Sequence, residues 1–281
     1  MADSERERDY VLGTHDEEIS RLALQHRVWR PRASDAWRRA GFTTGQTIID
    51  VGCGPGHATL DLAEIVGPSG RVVALDRSRR FLDALEAAKR ARGLANITAH
   101  ELDLDQDALP AGQADAAWVR WVFAFMKQPR DLLSRIAGAL RPGGTLVIHE
   151  YLHYDTWRLA PRSDEFEGFV QAVIERWRAS GGEPEVGLDL PRWLEEMGFD
   201  IRSTTTIMDV ITASDPLWQW PRAFVDSGVQ RLVDLGDLTE ERACAIRQAF
   251  ATAEATPGTR MVTPAVVEII AVKGGMSMHP W

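Results

Sequence analysis

From residue 47 to residue 151 the chain alternates short, almost wholly apolar runs with amphipathic segments that carry helix punctuation. The runs are Thr47 to Val51, Arg71 to Leu75, Ile97 to Glu101, Ala114 to Val119 and Thr145 to Tyr151. Between them, His57 to Val66, Arg79 to Ala91 and Pro129 to Leu140 read as helices, with Pro129 suited to a first turn and Gly67, Gly93 and Gly143 to helix ends. Strands that are apolar nearly throughout must be covered on both faces, and strands separated by helices pair in parallel. This rhythm predicts an α/β, doubly wound fold. It leaves little room for an all-helical or all-β chain.

Outside that stretch the pattern is helical. Thr14-His-Asp-Glu17 is a capping box, and Ile19, Leu22, His26 and Trp29 follow at helical spacing up to Pro31. A second short helix is expected over Ala33 to Ala40. After Tyr151, helices are expected over Ser163 to Ala179, Pro191 to Met197, Trp218 to Leu235 and Thr239 to Ala253. Asp200 to Ile211 and Thr263 to Val272 read as two further strands. The expected organisation is therefore an N-terminal helical segment (1–44), a core (45–151), a cap insertion (152–199), and two last strands (200–273) that carry a second helical insertion at 212–262. The tail, 274–281, carries no pattern.

Composition narrows the partners. Forty-one acidic against 32 basic residues leave a formal charge of −9, which argues against nucleic acid or an anionic membrane, since both call for a clustered basic footprint. Residues 1–9 hold no apolar run of the signal-peptide kind, and no stretch reaches the roughly 18 apolar residues of a membrane span. Cys53 and Cys244 are too few and too far apart for a disulfide framework or a metal site. A cytoplasmic protein is expected, with a homodimer through the cap helices as the alternative to a monomer.

The most specific segment is Asp50-Val-Gly52-Cys-Gly54-Pro-Gly56-His57. Three glycines sit between a strand end and a helix start, where ligands approach backbone in open α/β sheets. A dinucleotide fingerprint, G-x-G-x-x-G/A, would place a small residue at position 57, where a bulky His stands. That weakens a dinucleotide-dependent oxidoreductase, the competing reading. The spacing G-x-G-x-G behind Asp50 instead closely resembles motif I of class I S-adenosylmethionine-dependent methyltransferases.

Further residues follow in that family's order. Asp76 ends the second run, with Arg77 beside it, and the resemblance assigns the Asp76 carboxylate to the ribose hydroxyls of S-adenosylmethionine. Asp103-Leu104 resembles the adenine contact. Asp115 to Phe123, containing Arg120, is similar to the fourth-strand motif, whose exit carbonyl receives the methionyl ammonium. Leu140 to Ile148 looks like the motif after the fourth helix. Upstream, Tyr10 and Gln25 lie in a segment similar to that of bacterial small-molecule methyltransferases of the ubiquinone/menaquinone group, where it closes over the cofactor and would hold the methionyl carboxylate. The resemblance implies a Rossmann-like, seven-stranded sheet with its last strand antiparallel.

Methyl transfer from a sulfonium is an in-line displacement with a neutral leaving group, so alignment and exclusion of water matter more than a catalytic array. Neither a Ser-His-Asp array nor a short-range metal spacing such as H-E-x-x-H is present. A phenolic or enolic acceptor reacts faster when deprotonated, and His is the side chain suited to that near neutral pH. His149 and His153 share one strand face by alternation and are the candidate catalytic residues. Trp121, Phe123, Phe125, Trp157, Phe166, Phe169, Trp218, Trp220 and Phe224 are expected to line an acceptor site, which favours an aromatic or polyketide-like small molecule. O-methylation is the leading expectation, with C-methylation of a quinol-like ring as the alternative.

Overall fold

The computed structural model describes residues 16–110 and 112–274. In chain order the elements are α1 (Asp16–Arg39), β1 (Thr47–Val51), α2 (His57–Val66), β2 (Arg71–Asp76), α3 (Arg79–Arg92), β3 (Ile97–Glu101), β4 (Ala114–Arg120), α4 (Pro129–Ala139), β5 (Leu140–His153), β6 (Arg158–Ala160), α5 (Asp164–Ala179), α6 (Leu190–Glu196), β7 (Phe199–Ile207), β8 (Val210–Ile211), α7 (Gln219–Asp234), α8 (Glu240–Ala255), β9 (Arg260–Val262) and β10 (Ala265–Lys273). They divide into two compact units. One comprises Arg30–Glu150, Val186–Thr205 and 267–274; the other comprises 16–29, Tyr151–Glu185 and Thr206–Val266.

The first unit is built on a seven-stranded sheet in the order β3-β2-β1-β4-β5-β10-β7. Strands β1 to β5 pair in parallel, with Ile48 to Val51 opposite Ala116 to Val119 on one side and Val72 to Leu75 on the other. At the sheet's far end the Gly274 N–H donates to the Gly198 carbonyl, joining the finish of β10 to the start of β7. The Lys273 ammonium likewise donates to the carbonyls of Ala137 and Leu140, where β5 begins. The last strand thus runs antiparallel to its neighbours, the fold class expected from the resemblance. Ile48, Leu60, Leu62, Val72, Leu85, Ala116, Trp118 and Val147 belong to its core. At about 25 cal/mol per Å² of apolar surface, the Val, Leu and Ile side chains among them each contribute roughly 1.5–3 kcal/mol.

The second unit packs α5, α7 and α8 around an aromatic centre. Trp157 meets Phe166 edge-on at 5.0 Å between centroids, and Tyr154 meets Trp177 at 5.4 Å. A three-stranded antiparallel sheet, β6-β9-β8, completes it.

Four sequence expectations are corrected. Pro31 does not end the first helix. An internal proline forgoes one backbone hydrogen bond and costs roughly 3 kcal/mol, yet α1 continues to Arg39 because Ala33, Ala36 and Trp37 are buried in the core beyond it. The expected strand over 200–211 breaks after Ile207: Asp209 exchanges bonds with Thr263, and β8 joins the small sheet instead. The cap insertion expected over 152–199 stops at Glu185; residues 186–199 pack with the sheet, where Glu196 pairs with Arg130 at 2.8 Å. Strand β5 starts at Leu140, not Thr145, because a register shift between Ala114 and Ala116 takes up Arg141 to Gly144 within the ladder.

Candidate cofactor and catalytic site

Between the end of β1 and the first turn of α2, Gly52, Gly54 and Gly56 adopt φ of +68°, +55° and +85°. A Cβ on Gly52 would lie 2.4 Å from a methyl of Val122, and one on Gly56 would lie 2.3 Å from Leu85. Both conformation and space therefore demand glycine. The turn is held from two directions. Below it, the buried Asp50 accepts from the Thr59 hydroxyl at 2.6 Å, tying β1 to α2. Burial pushes the Asp50 carboxyl up to about 6, against the Thr59 hydrogen bond and the Arg120 charge. Across it, Asp76 at the tip of β2 accepts from the Gly54 N–H and the Ser78 N–H, each at 2.8 Å. Burial raises the Asp76 carboxyl, while those two N–H groups and the adjacent Arg77 charge oppose the shift.

Asp103 and Leu104 follow β3 as expected. The Asp103 carboxylate accepts from the Asp105 N–H at 2.9 Å, and the Leu104 side chain is buried. Arg135 on α4, which sequence reading did not single out, donates to the carbonyls of Leu104 and Asp107 and pins this loop. Arg120 ends β4 with its guanidinium 5.8 Å from the Trp118 ring and 5.2 Å from the Trp121 ring. In the second unit, Gln25 accepts from Arg21, which also forms a two-toothed pair with the buried Glu18. Gln25 thus has an internal structural partner. Tyr10 lies outside the described residues.

The two candidate histidines separate. His149 has no exposed surface; its Nε2 lies 2.8 Å from the Glu268 carboxylate on β10, and Arg39 grips the same carboxylate. Burial lowers the His149 pKa despite Glu268, so the ring is neutral and donates Nε2–H. A ring locked to a carboxylate inside the sheet is placed as a core hydrogen-bond partner, away from the role expected of it as a base. His153, the last residue of β5, keeps 44% of its side chain exposed, and its Nδ1 lies 2.8 Å from Glu185. Asp155 completes a group whose ligand atoms lie within 4.8 Å of one another. Glu185 is also paired with Arg178 at 2.9 Å, so the group reads as an exposed ion-pair cluster.

Aromatic residues expected at an acceptor site mostly pack on one another. Trp157, Phe166, Phe169 and Trp218 are buried, as is Trp220 edge-on against Trp29 at 4.9 Å. An open cleft of about 660 Å³ between the start of α5 and α8 has no aromatic lining. Most of the rings expected at an acceptor site therefore fill a core. Glu150 and Glu268 were missed, although a lone carboxylate within an apolar strand pattern is the signal of a buried pair.

Residues 48–144 match a family model described as a methyltransferase domain. The chain is 34% identical over 131 residues to demethylmenaquinone methyltransferase of Lactococcus lactis subsp. lactis, covering 46% of this chain and 50% of that protein. It is 33% identical over 104 residues to nocamycin O-methyltransferase of Saccharothrix syringae, 37% of each. The chain thus spans half or less of the length of these curated relatives. The fold is that of geranyl diphosphate C-methyltransferase from Streptomyces coelicolor A3(2), solved with S-adenosyl-L-homocysteine (TM-score 0.57, 16% identity, 92% of this chain and 85% of that one). Residues 48–144 thus carry the sequence pattern of a methyltransferase domain.

Proposed function

We propose that this protein transfers a methyl group from S-adenosylmethionine to the oxygen of a small aromatic or polyketide-like molecule. The observation that carries the reading is the Gly52-Gly54-Gly56 turn, with the Asp76 carboxylate bonded across it, inside the segment that matches the methyltransferase-domain model. When bound, the cofactor supplies a methyl group made electrophilic by a sulfonium. The residues present suit it. The turn brings bare backbone to a ligand, Asp76 offers carboxylate oxygens to paired hydroxyls, and Leu104 gives an apolar surface beside Asp103 for a ring. Asp50 and Thr59 hold the turn without touching the ligand. Similarity to an O-methyltransferase favours oxygen as the acceptor atom, and similarity to a demethylmenaquinone methyltransferase supports a quinol-like ring as the second reading.

Calorimetry with S-adenosylhomocysteine and with NAD tests the reading. Binding of the first and not the second is expected, and Asp76→Ala should weaken it at least tenfold, about 1.4 kcal/mol. Absence of S-adenosylhomocysteine binding to the wild-type protein overturns the proposal.

His153 is the proposed general base, on the strength of its accessible ring and its orientation by Glu185. His153→Gln should lower kcat about 100-fold with phenolic acceptors while leaving S-adenosylhomocysteine affinity unchanged. Wild-type turnover in this variant would leave the reaction to alignment alone.

A further inference from the structure

We infer that Glu150 is a positioning residue for the amino-acid end of the cofactor, an inference that rests on the proposed methyl-transfer function. Glu150 follows His149 on β5 and has no exposed surface. A single oxygen of its carboxylate, Oε2, accepts from the Val122 N–H at 3.0 Å and from the Ala124 N–H at 3.3 Å. The Trp121 N–H is bonded to the His149 carbonyl at 2.9 Å. Three N–H groups of the turn that leaves β4 are therefore directed at β5, and Trp121 is the single non-glycine among the described residues with positive φ, at +52°. A left-handed Trp costs roughly 1–2 kcal/mol, so the bonds from β5 hold a conformation that the turn would not adopt alone.

This turn is also a wall of the glycine site. Val122, whose N–H Glu150 holds, is the residue against which Gly52 packs so closely that no Cβ fits. With the N–H groups of Trp121, Val122 and Ala124 engaged by β5, what this turn has left to offer a ligand seated on Gly52 is carbonyl oxygen. Carbonyl oxygens suit an ammonium group. Glu150 acts one step removed: it orients the turn and touches no ligand.

Two probes separate this role from plain stability. S-adenosylhomocysteine carries the amino-acid end; methylthioadenosine has the same nucleoside and sulfur without it. Glu150→Ala is expected to weaken S-adenosylhomocysteine at least tenfold and methylthioadenosine less than twofold. Glu150→Asp keeps the charge but withdraws the oxygen by one methylene, and should show the same split, which covers the case in which the alanine variant does not fold. Glu150→Gln retains an oxygen able to accept both N–H groups, and should restore S-adenosylhomocysteine binding to within about threefold of wild type. Equal weakening of both probes by Glu150→Asp, or wild-type affinity for both, overturns the inference. Failure of the wild-type protein to bind S-adenosylhomocysteine would instead overturn the functional reading beneath it.

Discussion

Replacing Gly52 with Ala is expected to destabilise the protein by roughly 2–5 kcal/mol and to weaken S-adenosylhomocysteine binding more than tenfold. Two costs add. A residue with a Cβ at φ +68° pays about 1–2 kcal/mol for the left-handed conformation. The new methyl would lie 2.4 Å from Val122, and overpacking of that kind costs about 1–3 kcal/mol. The Val122 backbone is held by its N–H bond to buried Glu150, so relief would have to come from its branched side chain alone. Gly93→Ala is the control: its φ is +66°, yet no atom lies within 4 Å of the added Cβ. It should lose only the conformational part and keep wild-type ligand affinity. Urea unfolding and calorimetry on both variants measure the difference. Equal losses in the two would remove the packing argument for Gly52.

Glu268→Ala is expected to cost about 1–3 kcal/mol, the range for leaving a buried hydrogen-bond donor without its acceptor. Glu268 lies on β10 and accepts from His149 and Arg39, so its loss strands the N–H groups of both. Burial alone would raise the Glu268 carboxyl, but those two hydrogen bonds outweigh it and hold it below the ordinary range. The pH dependence has a definite sign. His149 is depressed below 6.5 in the folded chain, mainly by burial. Between that lower value and 6.5 the unfolded chain binds more protons, so stability falls as pH falls through this window. Glu268 adds a loss of the same sign at lower pH, below about 4.5. His149→Gln should flatten the first window and leave the second. Chemical denaturation from pH 4 to 8 reads both, and an unchanged slope near pH 6 in His149→Gln would refute the assignment of a neutral buried imidazole.

The site was unequally legible in the sequence. Gly52, Gly54 and Gly56 could be placed because backbone conformation and close approach restrict residue type locally, and Asp76 because it ends the next strand. Asp50 was found, but its partner Thr59 and the reason for its burial were not. His149 shows the limit. Alternation along β5 put it on the same face as His153, yet a strand within a covered sheet has no solvent face, and the neighbour across from His149 is set by β10, 119 residues later. Glu150 is similar: a lone carboxylate in an apolar strand signals a buried partner, but the N–H groups it holds belong to another loop and cannot be named from the local pattern. An aromatic residue looks the same in the sequence whether it lines a site or fills a core, and the structure packs most of these rings against one another.

The sequence by itself determined the alternation of strands and helices and the glycine turn after β1, because both follow from interactions within a few residues: side-chain period, helix caps and left-handed backbone. Tertiary structure alone decided that α1 runs on through Pro31, that β8 leaves the line of β7 for a second sheet, and that His149 and Glu150 serve partners inside the protein. Those outcomes depend on burial energies and hydrogen bonds between segments far apart in the chain, and contacts of that kind exist only once the sheet has formed.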